Sequence, residues 1–319
     1  MFTSGDAEQL RNSLTALDCS VPVKPSEPLQ RYLDFYGLKF DSGAQSVRHS
    51  LGYFHSQQFR IACHAFKLES VPARGTVFLV HGYFDHTGLY RHIISNLLAT
   101  GLDVVIFDLP GHGLSSGPMA SIESFQDYTA ALKDCLKLAE QQDLLRPWHL
   151  LGQSTGASVI LNLLLSHASH EQAELNRILL LAPLLRPRNW NFSLLSYYLL
   201  HLLVKRTQRK FALNSHDEEF RSFIRHRDPL QSRWIPSAWV KALIAFQQDF
   251  AGAKPCESVV QIIQGTGDTT VDWRFNLPRL QAKFPNAKIW RIENARHHLV
   301  NESLALRREV FDIVNGILA

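Results

Sequence analysis

The stretch His149-Leu-Leu-Gly152-Gln153-Ser154-Thr155-Gly156-Ala157-Ser-Val-Ile-Leu-Asn-Leu-Leu-Leu165 decides how this chain is read. It opens with an apolar strand, passes through a Gly-x-Ser-x-Gly turn, and continues with a spacing that predicts a helix over Thr155–His167. A sharp turn between a buried strand and a helix projects the Ser154 hydroxyl out at the carboxyl edge of a sheet. Gly152 and Gly156, helped by Ala157, are small because strand and helix must pack closely around it. The same letters occur by chance in glycine-rich loops with a surface serine, but there the flanking strand and helix are missing.

Working outward from Ser154, short and continuously apolar runs alternate with amphipathic ones from Gly75 onward, the pattern of a parallel sheet covered on both faces. The predicted strands are Thr76–Val80, Asp103–Phe107, His149–Leu151, Arg177–Leu181, Val259–Gln264 and Lys288–Ile292. The predicted helices are Tyr90–Thr100, Ser121–Gln142 with Ser121 as N-cap, Thr155–His167, Leu277–Lys283 and Ser303–Leu318. Upstream, Leu51–Phe54 and Phe59–Phe66 read as an antiparallel pair around Ser56-Gln57-Gln58. The expected fold class is α/β, with a mostly parallel doubly wound sheet. Between Pro183 and about Phe250 the alternation breaks: the period is helical, Leu, Trp and Tyr abound, and no strand is evident. The expected organisation is an N-terminal extension (1–50), a core (51–183 and 251–319) and an inserted helical cap (184–250).

A serine hydroxyl becomes a nucleophile only when a base removes its proton and an acid orients that base. Asp268, at the end of Gln264-Gly-Thr-Gly-Asp268, follows a buried strand, and His297 lies past the end of the strand Lys288–Ile292. Their loops share with Ser154 the sheet edge at which doubly wound folds bind ligands. Asp272 is the rival acid, but it lies further from its strand and reads as the entry to a helix at Trp273. His298 is the rival base and reads as a packing or surface histidine. The oxyanion of an acyl-transfer intermediate needs backbone donors. The Thr155 amide follows the serine at a helix start, and the Tyr83 amide lies in the His81-Gly82-Tyr83 turn, which otherwise reads as an ordinary strand ending.

His81-Gly-Tyr-Phe-Asp-His-Thr-Gly-Leu-Tyr90, Asp108-Leu-Pro-Gly-His-Gly-Leu-Ser-Ser-Gly117, the Ser154 turn, Gly265-Thr-Gly-Asp-Thr-Thr-Val-Asp272 and Asn294-Ala-Arg-His-His298 occur in this order. Together they resemble the α/β-hydrolase superfamily, and within it the monoacylglycerol lipase and lysophospholipase group, the serine aminopeptidase S33-like branch. The resemblance runs from about Gly75 to the C-terminus. It implies a Ser154, Asp268, His297 triad, an oxyanion hole from the Tyr83 and Thr155 amides, and a cap over an acyl pocket. The activity implied is cleavage of carboxylic esters of lipid-like substrates, monoacylglycerol or lysophospholipid, through a serine acyl-enzyme that needs no metal or organic cofactor. Alternatives on the same triad are a short-chain esterase, an acyltransferase or a peptidase, and the alternative from another class is a hydrolase-fold binding module without turnover. This sequence departs from the group at Tyr83, where a small residue is usual, at Gln153, where histidine is common, and at Thr155, where methionine is common; the last two suggest an altered leaving-group preference.

Composition narrows the setting. With 319 residues, 45% hydrophobic and 19% charged, the chain is globular, and a net charge of +4 is too small to indicate a nucleic-acid binder. Cys19, Cys63, Cys135 and Cys256 form no CxxC pair, which excludes a zinc or redox motif and fits a reducing compartment. Asp6, Glu8 and Arg11 interrupt the apolar run a signal peptide would need, and Phe192–Val204, broken by Ser196 and His201, is too short to span a bilayer. A cytoplasmic protein is expected. Charge is uneven: from Leu185 to Ala245 eleven lysines and arginines face four acids. The apolar run followed by Lys205, Arg206, Arg209 and Lys210 fits a helix resting peripherally on an anionic membrane. It equally fits a cap helix packed on the core with its charges solvated.

Overall fold

Continuously apolar strands need partners on both sides and cover on both faces, and the chain supplies both in a computed structural model that describes residues 1–40, 46–166, 175–200 and 203–319. The strands are β1 (Val47–Ser56), β2 (Phe59–Leu68), β3 (Thr76–Val80), β4 (Asp103–Phe107), β5 (Trp148–Gln153), β6 (Leu175–Leu181), β7 (Arg206–Gln208), β8 (Trp234–Pro236), β9 (Gln261–Gly265) and β10 (Lys288–Ile292). Eight of them form one sheet in the order β1-β2-β4-β3-β5-β6-β9-β10. β2 runs antiparallel to β1 and β4, and every other pairing in this sheet is parallel. The fold is α/β with a mostly parallel sheet, as the alternation of apolar runs implies, and its topology is the one the motif resemblance leads one to expect.

Strand residues alternate between two apolar layers. Phe78 and Val80 face a layer built with helices Phe125–Gln141, Thr155–Leu165 and Ser237–Gly252, while Val77 and Leu79 face one built with Arg91–Ala99 and Leu304–Leu318. The N-terminal helices Ser4–Ser13 and Glu27–Tyr36 join the second layer, burying Phe2, Leu10, Leu29, Tyr32 and Tyr36.

Three local expectations are corrected. The helix predicted from Ser121 is capped by Ser124, whose hydroxyl accepts the Gln126 N–H while the Asp127 carboxylate accepts the Ser124 N–H. This reciprocal box outcompetes Ser121, whose N–H is taken by Pro118 in the preceding turn. The helix predicted from Leu277 begins at Trp273 because the Asp272 side chain caps it. Between β6 and β9, where no strand was expected, β7 and β8 pair with each other and not with the main sheet. Three residues are too few to carry an alternating pattern. His167, the end of one predicted helix, and His201 and Leu202 of the apolar run lie outside the described residues.

Candidate active site

Ser154 sits where β5 ends and helix Thr155–Leu165 begins, with φ +55° and ψ −112°. A non-glycine residue held there costs about 1–3 kcal/mol, so the surroundings must enforce it. The Ser154 N–H donates to Leu181 O at 2.8 Å and its carbonyl accepts from Leu184 N at 3.2 Å. A Cβ on Gly156 would lie 2.0 Å from the Val80 carbonyl oxygen, and one on Gly152 would lie 2.6 Å from Ala157 N. No larger residue fits at either position without moving backbone, which is why the turn is spelled with glycines.

The loops after β9 and β10 bring Asp268 and His297 to this serine. His297 Nε2 is 2.9 Å from Ser154 Oγ, and Nδ1 is 2.8 Å from Asp268 Oδ2. All three residues are buried. Burial disfavours a charged imidazole, but the Asp268 carboxylate outweighs it and His297 is held above the ordinary histidine value. Burial would raise Asp268, yet His297 and the N–H groups of Thr270 and Val271 hold it below the usual carboxylate range. Asp268 is therefore kept ionised, and the imidazole is poised to accept the serine proton.

The rivals fall elsewhere. Asp272 accepts from Phe275 N as a helix cap and pairs with Arg186 at 3.4 Å. His298 is buried with Nε2 3.1 Å from Asp85 Oδ2. That contact belongs to a support the sequence did not reveal. Asp85 Oδ2 also accepts from the Tyr90 hydroxyl at 3.0 Å, and the same hydroxyl oxygen accepts the Gly82 N–H at 3.0 Å. The peg fixes the turn that carries the Tyr83 amide, and a Cβ on Gly82 would lie 3.4 Å from Ser154 Cβ. Among the described residues, neither the Tyr83 nor the Thr155 amide donates to a protein acceptor, so both donors are open beside the serine.

The positions that depart from the resembled group have defined surroundings. Gln153 donates from Nε2 to the His297 carbonyl at 2.9 Å and so holds the histidine loop. Among the described residues, the buried Thr155 hydroxyl finds no hydrogen-bond partner. The Tyr83 ring stacks on Trp239 at 3.7 Å between centroids and 11° between planes, and its hydroxyl donates to Ala120 O. Residues 184–250 thus reach the site directly. Gln231 Nε2 donates to Phe84 O at 2.9 Å, and Asp228 accepts from Tyr36 and lies 2.9 Å from His86 Nε2. Glu302, another residue without a sequence signal, gathers the N–H groups of Arg296, His216 and Ser303 and ties the histidine loop to this segment. A cavity of about 720 Å³ lies beside Asp268, lined by Arg186, Trp190, Phe192, Val271 and Trp273 among others. Among the described residues, no three His, Cys, Asp or Glu side chains converge as metal ligands would, and no helix is long and apolar enough to cross a membrane.

Comparison with known proteins agrees with this architecture. The Hydrolase_4 family, described as serine aminopeptidase, S33, matches residues 71–304. A monoacylglycerol lipase from Mycolicibacterium smegmatis is 31% identical over 87 residues, 27% of this chain and 31% of that protein. The phospholipase YtpA of Bacillus subtilis is 34% identical over 83 residues, 26% of this chain and 31% of its own. The chain thus spans about a third of the length of these relatives, and only 11% of an uncharacterized abhydrolase domain-containing protein of Dictyostelium discoideum. Among solved structures, a soluble variant of monoglyceride lipase from Saccharomyces cerevisiae, in complex with a substrate analogue, aligns with a TM-score of 0.71 at 17% identity, covering 87% of this chain and 96% of that one.

Proposed function

We propose that this chain, which belongs to the serine aminopeptidase S33 family (Hydrolase_4), is a serine hydrolase that cleaves carboxylic esters of lipid-like substrates, monoacylglycerols or lysophospholipids. The observation that carries this is the unbroken chain from Ser154 Oγ through His297 to Asp268, with contacts of 2.9 and 2.8 Å. Ser154 Oγ attacks the ester carbonyl while His297 Nε2 takes its proton. The oxyanion accepts from the Tyr83 and Thr155 amides. Collapse breaks the ester C–O bond, and His297 returns the proton to the departing alcohol. Water, deprotonated by the same imidazole, then releases the fatty acid from Ser154.

In this reading residues 51–183 and 251–319 are the catalytic core, 184–250 a cap and 1–50 an extension that braces it. The separate pairing of β7 with β8 supports that division. The cap also favours a lipid surface as the place of work, since Phe192, Leu195, Tyr198, Leu199 and Leu203 are exposed together with Lys205 and Arg206. Arg209, expected in that basic fringe, is instead turned inward over the Phe84 ring at 3.9 Å. The test is labelling by a fluorophosphonate, followed by a hydrolysis panel of monoacylglycerols, lysophospholipids and p-nitrophenyl esters. Labelling of the parent and not of Ser154→Ala is expected, with long-chain lipid esters preferred. A folded parent that neither labels nor hydrolyses any ester would overturn the proposal.

A further inference from the structure

A second cavity, of about 400 Å³, lies in the cap and is lined by Gln208, Arg209, Lys210, Phe211, Arg225 and Arg233. Four of its six lining residues are cationic and none is acidic. Among the described residues none of the four has a carboxylate within 4.0 Å, whereas seven other arginines, at 31, 48, 146, 186, 221, 227 and 307, do. The carboxylates whose fields reach Arg209, Asp85 and Asp228, are each committed to a histidine, His298 and His86. Like charges gathered without counter-ions repel one another, and an anion entering the cavity relieves that repulsion.

The cations are also oriented. Arg209 lies over Phe84 at 3.9 Å and over Phe211 at 4.4 Å, and its Nη1 donates to Gln231 Oε1 at 2.6 Å. Arg233 lies 5.2 Å from the same Phe211 ring and donates from Nη1 to Arg225 O. Each guanidinium is therefore fixed by one nitrogen, and its other donors have no acceptor among the described residues. A planar fork with free donors suits tetrahedral phosphate oxygens. Burial pulls Arg209 down only to about 10, so it stays charged at neutral pH. Position completes the argument, because Phe84, on which Arg209 rests, directly follows the oxyanion residue Tyr83.

We propose that this cavity binds the phosphate of an anionic headgroup on the ester substrate, which selects acyl glycerol phosphates over uncharged monoacylglycerols. The proposal rests on the ester-hydrolase reading and narrows its substrate class. A zwitterionic headgroup is disfavoured, since among the described residues no acidic side chain lines the cavity and the Phe211 ring is already paired with Arg209 and Arg233.

The experiment compares kcat/KM for 1-acyl-glycerol 3-phosphate and for the 1-acyl-glycerol of the same chain, both as monomers, in the parent, Arg225→Gln, Arg233→Gln and the double variant. The parent is expected to favour the phosphorylated ester at least tenfold. The double variant is expected to lose at least tenfold of that ratio, and Arg233→Lys to restore part of it. Lys241→Gln, which removes an exposed cap cation outside the cavity, should keep the parental ratio. Where Arg233→Gln fails to fold, Arg225→Gln with Lys210→Gln carries the same test. Equal use of both esters by a parent that labels with fluorophosphonate would overturn the headgroup site and leave the hydrolase reading standing. Absence of labelling would instead remove the hydrolase reading. Inhibition by inorganic phosphate with no preference between the esters would mean a free-anion site and overturn the assignment. So would loss of binding to vesicles of phosphatidylserine and phosphatidylcholine with an unaltered ratio, which would mean a membrane contact.

Discussion

Tyr90→Phe deletes a single oxygen and tests whether the oxyanion turn depends on its peg. Tyr90 is fully buried, and its hydroxyl oxygen accepts from Gly82 N while its proton goes to Asp85, both at 3.0 Å. Phenylalanine keeps the ring but leaves a buried N–H unsatisfied, at about 1–3 kcal/mol, and removes a bond to a carboxylate worth about 1.5–3 kcal/mol. Asp85 retains His298, so the combined loss of stability should be about 2–4 kcal/mol, near the lower half of that sum. Its effect on rate has a ceiling, because losing one oxyanion donor altogether costs about 10²–10³ in kcat. The Thr155 amide is held independently by its helix, and the turn retains the Asp85 N–H to Gly82 O bond at 3.1 Å. A loss of about 10- to 100-fold in kcat, with KM little changed, is therefore expected on a soluble p-nitrophenyl ester. Urea unfolding supplies the stability change in parallel. Unchanged kcat in a variant destabilised by about 2 kcal/mol would show that the backbone alone positions the Tyr83 amide, and the peg argument would fail.

Ser154→Ala and His297→Ala should each lower turnover by about a millionfold, with little further loss in combination, since the two act as one unit; steady-state kinetics on purified, folded variants checks this. Asp268→Asn should lower kcat by about 10⁴ through the wrong imidazole tautomer. Asp272→Asn should cost no more than about 1 kcal/mol of stability as a changed helix cap, and rates and melting curves for the two variants should separate them cleanly. Because the free base must be neutral and Asp268 holds the His297 proton to higher pH, kcat/KM on an uncharged ester should fall with acidification through an apparent pKa above about 6.5. In Asp85→Asn, which removes a second carboxylate favouring the charged imidazole, that midpoint should move down; an upward move in a pH–rate profile would contradict the electrostatic assignment.

What the sequence disclosed and what it withheld divide along a physical line. β3, β4 and β5 are legible because strands buried on both faces are apolar along most of their length, with polar residues only toward their ends, and the Ser154 turn is legible because Gly152 and Gly156 meet backbone at 2.6 and 2.0 Å. Asp268 and His297 could be found because each follows a recognisable strand. Asp85 and His298 could not be paired in advance, since their contact joins residues 213 apart and either one alone reads as an ordinary polar residue. Arg209 misled because its neighbours Lys205, Arg206 and Lys210 are exposed, while a long side chain can carry its charge back under the surface. The N-terminal residues carry no functional signal in the sequence, yet besides completing the second apolar layer they reach the segment after β6, where the Tyr36 hydroxyl meets Asp228 at 2.7 Å.

That contact bears on how a lipid could reach Ser154. Asp228 is bonded at once to Tyr36 of the extension and to His86 beside the oxyanion turn, with the carboxylate and the imidazole both fully buried. Burial would raise the carboxyl and lower the imidazole, yet each favours the charged form of the other, and Asp228 is held below its usual range and His86 above. Removing one partner of such a pair costs about 3–5 kcal/mol, so separating Asp228 from His86 is costly and this contact holds the segment against the turn after β3. Helix Trp190–Leu200 differs. Trp190 is anchored by its Nε1 bond to Gln247 at 2.9 Å, but Phe192, Leu195, Tyr198 and Leu199 beyond it are exposed and forfeit little burial if the helix moves. Phe192 and Trp190 line the cavity beside Asp268, so the position of this helix bounds the space next to the orienting carboxylate. Under the proposed lipid-ester reading, an apolar surface that receives those side chains would stabilise a displaced position of this helix, and access for an acyl chain would then depend on contact with the lipid that contains it.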